Sequence, residues 1–122
     1  MAEEWVSERP DFIASLQAIP QHETGFRSPL RQGRKFDLAY EGDESGAWMI
    51  HYALLDEKRC LLPHNVACQG EANAYFRILN PELRKTVHKQ RVKPGTQFFI
   101  VVGSQKIAKG VVTEVLHLLD KD

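Results

Sequence analysis

Cysteine is scarce in this chain. Only two occur, Cys60 and Cys68, too few to staple a small secreted domain and in keeping with a reducing compartment; both are expected as free thiols. Net charge is absent as well. The 16 Lys and Arg balance the 16 Asp and Glu, so no overall field draws the protein to nucleic acid or to an anionic membrane, and any such affinity has to come from a local patch. Long apolar runs are missing: FFIVV at 98–102 is far too short to cross a bilayer. The opening MAEEWVSERP is acidic and interrupted, unlike the basic and then apolar start of a secretory signal. A soluble cytoplasmic protein is the expectation. There is no G-x-x-x-x-G-K-[ST] loop to cradle phosphates, so neither bound nucleotide nor GTP hydrolysis is expected. Nucleophile elbows and tight C-x-x-C knuckles are lacking too.

What the chain does have is the size and balance of one ordinary folded domain: 122 residues, 43% hydrophobic and 26% charged, enough to bury a single core without covalent staples. Alternation marks strands most clearly at 36–40, 47–55, 72–79, 97–102 and 110–119. Within ANAYFRIL, Tyr75 and Arg77 share one face, and Phe76 and Ile78 the other. EGDESG at 41–46 is a turn signal, and GSQKIAK at 103–109 separates the last two strands. Two stretches read either way. Residues 11–19 alternate as a strand through Phe12, Ala14, Leu16 and Ala18, yet Phe12, Ile13, Leu16 and Ile19 also form a helical stripe. Residues 81–94 begin with Pro81 at a good first helical position, and an extended hairpin arm fits them equally. Short strands with regular turns predict an all-β or mostly β fold, a closed barrel or sandwich of five to seven strands over 11–119. An N-terminal segment, 1–10, precedes it and a tail, 120–122, follows. The expected core comprises Phe36, Leu38, Tyr75 or Phe76, Ile78, Phe98 or Phe99, Ile100, Val112 and Leu116.

The ending GTQFFIVVGSQKIAKGVVTEVL resembles the last strands of the C-terminal β-barrel domain of elongation factor Tu and related translational GTPases. The resemblance rests on Pro94, Gly95, Phe98, Ile100, Gly103 and the pattern Gly110, Val111, Val112, Val115, Leu116; upstream it continues through Gly25, Arg27, Ser28, Pro29, Gly33, Arg34 and Phe36. It extends over residues 11–118 and implies a six-stranded closed Greek-key barrel, standing alone without its GTPase domain. In the elongation factor that domain helps to hold the T stem of aminoacyl-tRNA and packs on its neighbouring domains and on protein partners. The family carries Arg and Glu just before the glycine that matches Gly103, and the Arg takes part in the tRNA contact. Here Val101 and Val102 stand in their place. The segment from Asn80 to Lys93 is longer and more basic than the family connection, and the aromatic residue that follows the glycine matching Gly33 is missing.

Two basic groups are the candidate contacts. One is Arg84, Lys85, His88, Lys89, Arg91 and Lys93; the other is Arg27, Arg31, Arg34 and Lys35, in the loop after the first element. Lined up on one face they would displace counterions from a phosphate backbone, whereas the plain alternative is a solvated connection. No aromatic platform for bases is evident, so RNA would be read by shape and charge. Cys60, His64 and Cys68 are spaced by four, but Pro63 and Asn65 oppose the helix that would gather them around zinc. No metal or cofactor is expected. A nucleophile joining Cys60 or Cys68 with His51, His64 or His88 and an acid such as Asp56 has no motif behind it, so no enzyme is expected. Trp48 reads as a core or hinge aromatic, while Trp5, set among charges before the first strand, is placed to anchor a partner. The combined expectation is a non-catalytic binding module for an unknown protein partner, translation-related through the resemblance. An RNA- or tRNA-contacting module is the alternative.

Overall fold

Short amphipathic strands leave backbone donors and acceptors open along both edges of a sheet, and closing the sheet on itself removes both edges. The computed structural model describes residues 2–19, 30–32, 36–63, 66, 70–78, 80–102 and 105–118, and it is a closed barrel. Its strands are β1 (Phe12–Ala18), β2 (Phe36–Tyr40), β3 (Asp43–Leu55), β4 (Glu71–Arg77), β5 (Gln97–Val102) and β6 (Gln105–Val115). They run β1-β4-β3-β2-β5-β6 around the barrel, antiparallel at every junction. Because β5 returns beside β2 after the β2-β3-β4 meander, the order is a Greek key.

The ambiguous segment 11–19 is a strand, since β4 and β6 supply backbone partners on both of its sides. The other ambiguous segment is helical: α2 (Pro81–Leu83), a π-helical stretch (Arg84–His88) and α3 (Lys89–Arg91). Together they form the Greek-key crossover. Three features depart from the sequence reading, the first being that only Glu41 and Gly42 of EGDESG form the turn, since β3 already begins at Asp43. The N-terminal segment contains a helix, α1 (Ala2–Glu8), whose Val6 is fully buried. GSQKIAK is no separator either, because β6 already begins at Gln105. Pairing of Ile100 with Ala108 and of Val101 with Lys106 leaves Ile107 as an extra, bulged residue. Ile107 and Ala108 are consequently buried in succession, which breaks the alternation that would have revealed the strand.

Phe12, Phe76 and Phe98, each fully buried, fill the middle of the barrel. Phe12 stacks on Phe76 at 4.9 Å between ring centroids, and Phe98 meets Phe76 edge-on at 5.5 Å. Leu38, Ile78, Ile100 and Val112 join them as expected; Phe36 and Leu116 are only half-buried. The open choices resolve to Phe76 and Phe98, with Tyr75 and Phe99 half-buried on the outer face. Gly110, paired with Phe98, makes room for that ring: a Cβ at this position would lie 2.3 Å from it. Gly110→Ala is expected to destabilise the fold by about 1–3 kcal/mol through overpacking, read as a lower urea midpoint with an unchanged slope.

Candidate functional site

The crossover closes one end of the barrel, and its sequence starts it cleanly. Asn80 accepts the Glu82 and Leu83 amides on its side-chain oxygen at 2.9 and 3.3 Å, and Pro81 follows at a position where its missing N–H costs nothing. The next turn is wound to π geometry, with Arg84 and His88 as its two buried residues.

Arg84 points inward and meets Asp11. Its Nε and Nη2 donate to Asp11 Oδ1 at 3.1 and 2.9 Å, while Asp11 Oδ2 accepts the Ile78 amide at 2.8 Å. A further N–H of Arg84 goes to the His117 carbonyl. Both side chains are at least nine-tenths buried. Burying two charges costs several kcal/mol per ion, and such a pair persists only where geometry and extra hydrogen bonds are good, as they are here. Arg84, expected among the surface cations, is therefore an internal strut with its charge matched.

His88, four residues on, sits against Tyr40 and Trp48 at the same barrel end. The Tyr40 hydroxyl shares a 2.5 Å hydrogen bond with His88 Nδ1, and the Trp48 ring meets the imidazole edge-on at 5.8 Å. His88 is 1% exposed, and its Nε2 has no hydrogen-bond partner among the described residues. Burial, with a smaller contribution from the Arg91 charge, holds the imidazole down at about 4 against its ordinary 6.5. Burial likewise raises the Tyr40 phenol, with Arg91 opposing. Arg91 lies over both aromatic rings, 5.4 Å from the Tyr40 centroid and 5.6 Å from that of Trp48. Of the first basic group, Lys85 and Lys93 are exposed and Lys89 and Arg91 half-buried.

No family model matches the chain, and no curated protein does.

In the second basic group, Arg31 is half-buried at the opposite barrel end, where its carbonyl accepts the Tyr52 hydroxyl. Arg27, Arg34 and Lys35 lie outside the described residues, as do His64 and Cys68. Cys60 is exposed in the 56–60 turn, which Asp56 organises by accepting the Lys58 and Cys60 amides at 2.8 and 2.9 Å. Among the described residues, those that a thiol nucleophile would need are dispersed. Cys60 and Asp56 share a surface turn, His51 packs beneath α1 against Trp5, and His88 closes the barrel end. Trp5 is half-buried, with the Arg77 guanidinium 3.9 Å over its ring. It is held between Arg77 and His51 instead of standing clear as an anchor.

Sequence reasoning missed Asp11, which nothing links to Arg84 at a separation of 73 residues. It also gives Arg84 and His88 as surface groups; the one available signal is that they are four apart, one helical turn, in a segment that reads equally as helix or as an extended arm.

Two predictions follow from the pair and from the imidazole. Arg84→Ala strands the Asp11 carboxylate and is expected to cost about 3–5 kcal/mol. The double variant Asp11→Asn with Arg84→Met, which keeps an acceptor for the Ile78 amide, should recover most of that in urea denaturation. For His88, the unfolded imidazole titrates near 6.5 and the folded one near 4, so the unfolded chain takes up the extra proton between these values. The stability held by neutral His88 is complete above pH 6.5 and is lost as pH falls through 4. His88→Gln should flatten the decline of the urea midpoint across that window.

Proposed function

We propose that the chain is a non-catalytic binding module whose partner is a protein. The observation that carries this reading is the internal use of Arg84: Asp11 neutralises the cation that heads the basic segment, and His88 beside it is buried and uncharged near neutral pH. What remains outward there is Lys85, Lys89, Arg91 and Lys93, and Arg91 rests on aromatic rings. A chain with zero net charge and a depleted basic segment suits protein contact better than a phosphate backbone. The closed six-stranded barrel agrees with the fold that the likeness to the elongation factor Tu domain implies. A component of translation is the partner class that the likeness favours.

One observation favours RNA as the second reading. The bulge at Ile107 brings Lys106 and Lys109 onto the same outer face, where they flank Phe99 at 4.2 and 5.9 Å from the ring centroid. A half-exposed aromatic between cations is the kind of surface on which an unpaired base stacks.

Capture from lysate with the tagged protein separates the two. A protein partner that stays bound after nuclease treatment, and that rebinds when purified, is the expected result. Loss of the partner on nuclease treatment rejects it. RNA contact instead requires affinity that falls steeply with salt and is lost on Lys106→Glu with Lys109→Glu.

A further inference from the structure

Helix α1 lies along the outer face of β3 and β4, with Trp5 against His51 and Arg77. Where α1 ends and the crossover begins, a recess of about 170 Å³ opens. Arg9, Arg77 and Arg84 line it together with Asp11, and Trp5, Ile78 and Pro81 are its apolar walls. Among the described residues lining it, three guanidinium groups face a single carboxylate, in a chain whose total charge is zero.

Arg77 is the best prepared of the three. The Trp5 ring covers one face of its guanidinium at 3.9 Å, and Nη1 donates to the Trp5 carbonyl at 2.7 Å. The Arg77 guanidinium makes no other hydrogen bond or ion pair among the described residues. Its planar fork is therefore fixed in orientation with N–H groups still to give, so less side-chain entropy is lost when an oxoanion arrives. Arg84, its charge matched by Asp11, is a fixed wall of the recess, and Arg9 is an exposed cation on the rim.

We infer that this recess is a carboxylate-binding site that receives an acidic side chain of the protein partner. The inference rests on the protein-module reading above and names the chemistry of its contact. Size decides the class of guest. Pockets for small-molecule ligands run to roughly 300–1,000 Å³, so this recess takes one side-chain group. A carboxylate on a slender stem reaches such a site, with its methylenes against Ile78 and Pro81 and its oxygens on the arginine fork. A nucleic-acid phosphate would have to carry a ribose on either side into the same space.

The test titrates the intact protein with an N-acetylated, C-amidated tetra-aspartate peptide, with inorganic phosphate and with a uridine oligonucleotide. Trp5 fluorescence is the readout, and Trp5→Phe isolates it from the Trp48 signal. The peptide is expected to give a saturable change. Arg77→Lys, which keeps the charge but loses the fork, should weaken binding about tenfold. Arg9→Gln, at an exposed position on the rim, should weaken it several-fold. Absence of a saturable signal, or peptide affinity unchanged in both variants, overturns the site. Tighter binding of the oligonucleotide than of the peptide, abolished by the same variants, overturns the choice of guest. The two readings fail separately. If the captured protein partner is retained by both variants, the recess is not its docking point and the module reading stands. If no protein partner survives nuclease, the module reading falls and the peptide titration still decides the recess.

Discussion

Asp11 joins four pieces of backbone: its amide donates to the Phe76 carbonyl, its carbonyl accepts from Leu116 and Leu118, and its carboxylate holds the Ile78 amide and the Arg84 side chain. The start of β1, the exit of β4, the crossover and the segment after β6 thus meet at one residue. A buried ion pair is a poor source of net stability, and its worth lies in which arrangements it forbids. A crossover shifted by a single residue would strand the carboxylate, so the pair sets the register in which His88 enters the barrel end and Arg84 walls the recess beside α1.

Much of the barrel was legible because its physics is local. The bounds 36–40 and 97–102 match β2 and β5 residue for residue, whereas the choice between Phe98 and Phe99 is settled only by the structure, which buries Phe98. What escaped was non-local or irregular. Residues 11–19 carry both periodicities at once, and only the partners on either side, β4 and β6, settle them as strand. The early part of β6 was hidden by its bulge, where two successive residues turn inward. The candidate site was read as a row of surface cations because composition registers charge and not direction. Arg84 and Lys85 are adjacent and both basic, yet one is buried and the other exposed.

Irregularities in the ladder do useful work elsewhere. Strand β3 runs past the end of β2, whose first residue, Phe36, pairs with Ile50. Beyond that point the fully buried Gln32 stands in for a strand: its amide oxygen accepts the Leu54 N–H at 2.7 Å and its nitrogen donates to the Leu54 carbonyl at 3.1 Å. Leu62 adds a second bond to the same carbonyl. The side chain thereby satisfies both backbone groups of Leu54, which lie beyond the reach of β2.

The pairing of the first strand with the last also constrains how the molecule comes into being. One side of β1 finds its partner once residues 71–77 exist, but the other has none until residues 108–115 have been made. At about 5–20 residues per second of synthesis, that interval is on the order of seconds, during which half of β1 is a bare template. Topologies dominated by such distant pairings fold in milliseconds to seconds, so closure comes late. Until then the open edge of β1 is a strand edge at which another chain can pair, and only the arrival of β6 removes it.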